Sequence, residues 1–152
     1  MAERISGKIL VVDDDKNIRF LCLEVLSLAG YHVKTATNGI EALEMLKDSE
    51  YDLVITDLQM PCLDGFGLYN TAIKRNPLIK DSFLFMTSDL SHHGVSSILE
   101  AGKKCFPKPF RIKDLLIEVD MMMINTLEML DRKRKSEIRT SIEANTLAAA
   151  NL

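Results

Sequence analysis

Cysteine is scarce in this chain, long hydrophobic runs are missing, and charge of neither sign dominates; each shortage excludes something. The three cysteines, Cys22, Cys62 and Cys105, are an odd number with no CxxC spacing and no cysteine–histidine cluster. Neither a disulfide framework nor a zinc site is indicated, and reduced thiols suit a cytoplasmic protein. The longest aliphatic run near the N-terminus, Ile9 to Val12, is far too short for a bilayer span or a signal-peptide core. A cytoplasmic location without membrane contact is therefore expected. Net charge is −3, and the tail from Thr126 carries five Lys/Arg against four Asp/Glu, leaving −4 for residues 1–125. That balance offers no footprint for direct nucleic-acid binding. Gly65 and Gly67 suit a turn into a helix, but GxGxxG spacing is absent, so no nucleotide fingerprint exists.

With 47% hydrophobic and 27% charged residues in 152, the chain has the means for one packed domain and little beyond it. Lys8 to Val12, Tyr51 to Thr56 and Ser82 to Thr87 are short continuous apolar runs of the kind that buried parallel strands use. Weaker strands fit Tyr31 to Thr35 and Lys104 to Phe106. Helical patterns lie between them: Phe20, Leu21, Val25 and Leu28 before Gly30; Ala42, Leu43 and Leu46; Ile98 and Leu99 before Gly102. Five βα units predict an α/β domain, a doubly wound parallel sheet with helices on both faces, over residues 1–125. Residues 126–152 are expected to be a C-terminal helical extension, too short for a separate globular output domain.

In such a sheet, chemistry gathers where strands end and helices begin. Asp13, Asp14 and Asp15 follow the first strand, and Asp57 follows the central one. Carboxylates brought together there repel unless neutralised, and Mg²⁺ is the natural partner because it takes one or two carboxylates, waters and a phosphate oxygen. An acidic cluster at a strand end also serves as a helix N-cap, so this signal alone is weak. Thr87 with Ser88 ends the fourth strand and Lys108 follows the fifth. A carboxylate nucleophile attacking a phosphoryl group needs charge compensation from a metal, an ammonium and hydroxyl donors, and each is supplied here. Singly, Thr87 reads as a strand residue and Lys108 as a surface charge.

The segments Val11-Val12-Asp13-Asp14-Asp15, Thr56-Asp57-Leu58-Gln59-Met60-Pro61-Cys62-Leu63-Asp64-Gly65, Met86-Thr87-Ser88 and Lys108-Pro109-Phe110 resemble the two-component response-regulator receiver family, from about Lys8 to about Met123. The resemblance implies a flavodoxin-like five-stranded sheet of order 2-1-3-4-5. It implies Asp57 as phosphoacceptor, with Mg²⁺ held by Asp14, Asp57 and the Gln59 backbone carbonyl, Asp13 acting largely through water. Thr87 and Lys108 would touch the phosphoryl oxygens, and Lys108-Pro109 would be cis. A histidine kinase or histidine phosphotransfer protein would donate the phosphoryl group, and an unknown output protein would read the surface near the fourth helix, fifth strand and last helix. The chain would be a signalling phosphoacceptor, not an enzyme for external substrates. A Mg²⁺-dependent aspartyl-phosphate phosphohydrolase is the alternative, but that chemistry wants an acid two residues after the nucleophile, where Gln59 stands. A phosphorylation-independent scaffold is a third reading. One departure from the family pattern concerns the switch aromatic expected three residues before Lys108: that position is Cys105, so either Phe106 serves through a re-registered strand or the switch is modified.

His92 and His93 read as an exposed helix start, and Cys62 has no base beside it in sequence. In the tail, Leu115/Leu116, Met122/Met123 and Met129/Leu130 recur at seven-residue spacing. That breadth predicts a homodimer through the final helix, fading after Leu130. Thr140 with Glu143 is expected to open a separate short helix beyond about Lys135.

Overall fold

The computed structural model describes residues 6–151. Five strands alternate with five α-helices: β1 (Lys8–Val12), α1 (Lys16–Leu28), β2 (His32–Ala36), α2 (Gly39–Asp48), β3 (Leu53–Asp57), α3 (Gly65–Arg75), β4 (Phe83–Thr87), α4 (His93–Glu100), β5 (Cys105–Pro107) and α5 (Ile112–Ala150), with a short 3₁₀ turn at Pro77–Ile79 before β4. All strand pairs are parallel and their order is β2-β1-β3-β4-β5, as the receiver resemblance implied.

The sheet is covered on both faces because its central strands are apolar at consecutive positions. Leu10, Val12, Val54, Phe83 and Phe85 point to one side, where Ala42 of α2, Leu68, Tyr69 and Ala72 of α3, and Val95 and Ile98 of α4 meet them. Tyr69 stands edge-on to both Phe83 and Phe85, with centroids 5.2 and 5.6 Å away. Ile9, Val11, Leu53, Ile55, Leu84 and Met86 point to the other side, against Cys22 and Leu26 of α1 and Leu115, Val119 and Met123 of α5. Each large aliphatic side chain so buried contributes roughly 1.5–3 kcal/mol.

The structure adds the covered side of α1, which the sequence reading left open, and corrects two expectations about the tail. In α1 the inward line is Cys22 and Leu26, whereas Phe20 and Leu28 are exposed. α1 has apolar residues on more than one side, and only the sheet selects which side is covered. In the tail, Leu115 and Met123 are buried against the sheet and Leu116 and Met122 pack beside them, so these residues are not available to a second chain. No separate helix opens at Thr140: α5 runs unbroken for 39 residues, the Thr140 hydroxyl donates back to the Ser136 carbonyl, and Arg139 pairs with Glu143 one turn on. Thr140 and Glu143 act as interior helix residues, because no break in the chain frees a backbone N–H for them to cap.

The turn leading into β2 is joined to α5 by a contact absent from any pattern in the sequence: the hydroxyl of the buried Tyr31 donates to the Asp120 carboxylate. Burial and then this carboxylate raise the Tyr31 pKa above its ordinary value. Tyr31→Phe is expected to lower stability by about 2 kcal/mol, the scale of a hydrogen bond to a charged group, measured by urea unfolding. An unchanged midpoint would mean that water serves Asp120 equally well.

Candidate functional site

The carboxyl edge of the sheet gathers the polar residues buried in the domain. Asp13, Thr56, Asp57 and Thr87 are all buried there, each at or next to a strand end. The three consecutive aspartates after β1 divide their roles. Asp15 caps α1, its carboxylate accepting from Asn17 N–H at 2.8 Å, so the capping reading holds for this one residue. Asp14 is exposed at the rim. Asp13 is buried, accepts from Asp15 N–H at 2.9 Å and from Lys108 Nζ at 2.6 Å.

Asp13, Asp14 and Asp57 each bring a carboxylate oxygen within 4.8 Å of the others. Lys108 bridges the pair beneath, 2.6 Å from Asp13 and 3.4 Å from Asp57. Burial first, and the Asp13 charge second, push Asp57 up from 3.8 to about 6, against the opposing pull of Lys108 and the Gln59 N–H. For Lys108, burial disfavours the ammonium, yet Asp13 and then Asp57 outweigh it and raise its pKa. Three acidic groups against one ammonium leave the edge short of positive charge. All-oxygen donors with two carboxylates buried fit a hard divalent cation.

Thr87 lies next to Met86, the register partner of Asp57. Its hydroxyl is engaged in its own turn, donating to the Asp89 carbonyl and accepting from Asp89 N–H, both at 3.0 Å. The structure therefore brings Thr87 to the site edge but turns it toward the start of α4. Lys108 is anchored through its backbone N–H to the Thr87 carbonyl at 2.7 Å, and Lys108-Pro109 is cis. Gln59 presents its N–H to the Asp57 carboxylate. Arg19, unmarked by any sequence motif, donates from Nη1 to the Asp13 carbonyl at 2.7 Å and so braces the acidic turn from α1.

The Asp64-Gly65 pair earns its place geometrically. Asp64 caps α3 by accepting from Gly67 N–H at 2.7 Å. A Cβ on Gly65 would lie 2.3 Å from the Asp57 carbonyl oxygen, so the loop can fold against β3 only with glycine here. Gly65→Ala is expected to cost about 3 kcal/mol, an overpacking penalty against rigid backbone, read from denaturant midpoints.

Register fixes which way the residues of β5 face: Phe85 pairs with Cys105, Met86 with Phe106 and Thr87 with Pro107. Cys105 packs on the α2–α4 side, and Phe106 on the α1–α5 side, where it meets Phe110 edge-on at 5.7 Å. Phe106 does not stand in for a residue at position 105, because adjacent strand residues face opposite ways. His92 caps α4 through Nδ1, which accepts from Gly94 N–H at 3.1 Å, and its ring stacks on His93. A cavity of about 440 Å³ lies at the other end of the strands, lined by Leu46, Tyr51, Leu78, Ile79, Thr126 and Leu130 among others, and shares no residue with the acidic site.

Residues 9–120 match the family model described as the response regulator receiver domain. The chain belongs to that family. The receiver is 32% identical to the response regulator receiver protein CpdR of Brucella abortus, over 77% of this chain and 97% of CpdR. It is 33% identical to the DNA-binding transcriptional regulator NtrC of Escherichia coli over 75% of this chain, but spans only 24% of NtrC. Among solved structures it resembles the chemotaxis protein CheY4 of Vibrio cholerae, with TM-score 0.70, 29% identity and coverage of 77% of this chain and 98% of that one. It also resembles the response regulator TrrA of Thermotoga maritima in complex with Mg(2+)-BeF, with TM-score 0.66, 34% identity and coverage of 76% and 97%. Receivers of this family are signalling phosphoacceptors with an acidic Mg²⁺ site, and the Asp13, Asp14 and Asp57 cluster of this receiver is such a site in composition. Among the described residues no helix is long and apolar enough to cross a membrane.

Proposed function

We propose that this receiver takes a phosphoryl group onto Asp57 from a histidine kinase or histidine phosphotransfer protein and passes the signal on through its α4–β5–α5 surface. The observation that carries this reading is the convergence of Asp13, Asp14 and Asp57 over the Lys108 ammonium. Asp57 Oδ would attack phosphorus as the phosphorus–nitrogen bond to the donor imidazole breaks, leaving an acyl phosphate. Asp14, Asp57 and the Gln59 carbonyl would hold Mg²⁺, with Asp13 acting largely through water. When bound, the ion supplies charge neutralisation for the entering phosphoryl oxygens.

The protein's own groups do the rest. Lys108 already spans Asp13 and Asp57, so it can follow the new negative charge without leaving its place. Thr87 has to release Asp89 before its hydroxyl can donate to a phosphoryl oxygen. That exchange would loosen the Asp89–Ser91 turn in front of α4, which supports a route from chemistry to surface. Because Cys105 occupies the strand position on the α4 side, less bulk follows the Thr87 movement than an aromatic would bring, and the α4 turn itself would carry the change. Acetyl phosphate with Mg²⁺ is expected to give a stoichiometric, alkali-labile adduct by intact mass. Repeated hydrolysis of external phosphoesters would instead support the phosphohydrolase reading.

A further inference from the structure

α5 continues well beyond the sheet: its buried residues end at Met123, yet the helix runs to Ala150. Most of the stability of a helix in a protein comes from packing one of its faces, and this overhang has no sheet to pack on. A second line of residues follows α5 from end to end, about 140° around the helix from the buried line at Val119. Its members alternate steps of four and three: Ile117, Met121, Ile124, Glu128, Asp131, Lys135, Ile138, Ile142, Asn145 and Ala149. All ten are exposed. The line is apolar toward both ends and charged in the middle, where Asp131 and Lys135 form an ion pair at 2.9 Å.

That charge pattern selects the occupant. In a parallel pair of α5 helices, Glu128, Asp131 and Lys135 would each face their own copy, giving three like-charged layers in the seam. In an antiparallel pair the line is its own complement. With Lys133 of the two copies level, Asp131 faces Lys135 of the second copy, Ile124 faces Ile142, Met121 faces Asn145 and Ile117 faces Ala149. Glu128 against Ile138 is mismatched in charge, and Met121 against Asn145 in polarity. Arg132 and Arg134 meet their own equivalents on the wet flanks, where salt screens them.

We propose that two copies of this chain pair through an antiparallel coiled coil of their α5 helices, centred near Lys133, with the receivers at opposite ends. The pairing does not depend on phosphorylation. It uses a face of α5 different from the one that Leu115, Leu116, Met122 and Met123 bury against the sheet.

Sedimentation equilibrium of the full chain at micromolar concentration is expected to give about twice 17.1 kDa. Asp131→Lys alone and Lys135→Asp alone each place like charges in both central layers, and each is expected to weaken association at least tenfold while circular dichroism stays helical. The combined exchange, Asp131→Lys with Lys135→Asp, restores the antiparallel layers and the dimer. Mixing the two single variants also restores it, although neither chain regains its internal ion pair, which separates pairing between copies from helix stability. A monomeric wild-type chain would overturn the proposal and assign the stripe to a different partner. Single variants that stay dimeric, or a combined variant that stays monomeric, would overturn it in favour of another orientation or face.

Discussion

Asp57→Asn is expected to take no phosphoryl group from acetyl phosphate and Mg²⁺, and at pH 7 to unfold at a higher denaturant concentration than the wild type. The first effect follows from removing the nucleophile at nearly constant volume. The second follows from linkage. The Asp57 carboxyl sits near 6 in the folded protein against 3.8 for the ordinary group, because burial and the Asp13 charge disfavour its ionised form. A raised acid means that the folded state holds the proton more tightly than the unfolded state, so ionised Asp57 destabilises the fold above that range. Asparagine removes the cost, worth about 3 kcal/mol at pH 7. The advantage of the variant should shrink as pH falls from 6 toward 3.8 and vanish only well below 3.8, where wild-type Asp57 is protonated in both states. Two measurements check this: intact mass after acetyl phosphate, and urea midpoints at several pH values without Mg²⁺. An adduct surviving in Asp57→Asn would move the phosphoacceptor elsewhere. A variant that is less stable at pH 7 would mean that Lys108 and the Gln59 N–H outweigh burial.

Lys108→Ala is expected to act in the opposite direction on stability and to divide chemistry from signalling. Asp13 is fully buried and its carboxylate receives the Lys108 ammonium at 2.6 Å. Removing that ammonium leaves a buried, uncompensated charge, a loss of about 3 kcal/mol. Asp57 keeps its place at the end of β3, so slow phosphorylation should persist. The link from the phosphoryl group to β5 is lost, since Lys108 is the residue joining Asp57 to the strand whose backbone it anchors at Thr87. Amide spectra recorded with beryllofluoride and Mg²⁺ should therefore change less on α4 and β5 than those of the wild type. Identical responses in the two proteins would remove Lys108 from the signalling route and leave it a structural counter-ion.

The parallel sheet was legible because Leu10, Val54 and Leu84 lie in strands that are apolar at consecutive positions, a pattern that survives only when both faces are covered. The acidic edge was legible because Asp13, Asp57, Thr87 and Lys108 each fall at or just after a strand end, and parallel strands deliver all such positions to one side. Arg19 was not legible: its bond to the Asp13 carbonyl depends on how α1 turns back over β1, and no spacing in the sequence encodes that. Nor was the hold of Asp89 on Thr87, which needs the folded turn before α4.

What the sequence determined by itself was the order of elements and the edge at which the acidic, hydroxyl and ammonium groups gather, because these depend on local pattern and on the fixed geometry of βα units. Only the tertiary structure decided which side of α1 is covered, which of Cys105 and Phe106 faces α4, and whether α5 stops or continues. A helix with apolar residues on several sides has no preferred face until a sheet is offered to it. A three-residue strand has no register until Phe85 and Thr87 pair with it. The C-terminal stripe likewise had two apolar lines in sequence, and the packing of Leu115, Val119 and Met123 against the sheet committed one of them inward and left Ile117, Ile124, Ile138 and Ile142 outside.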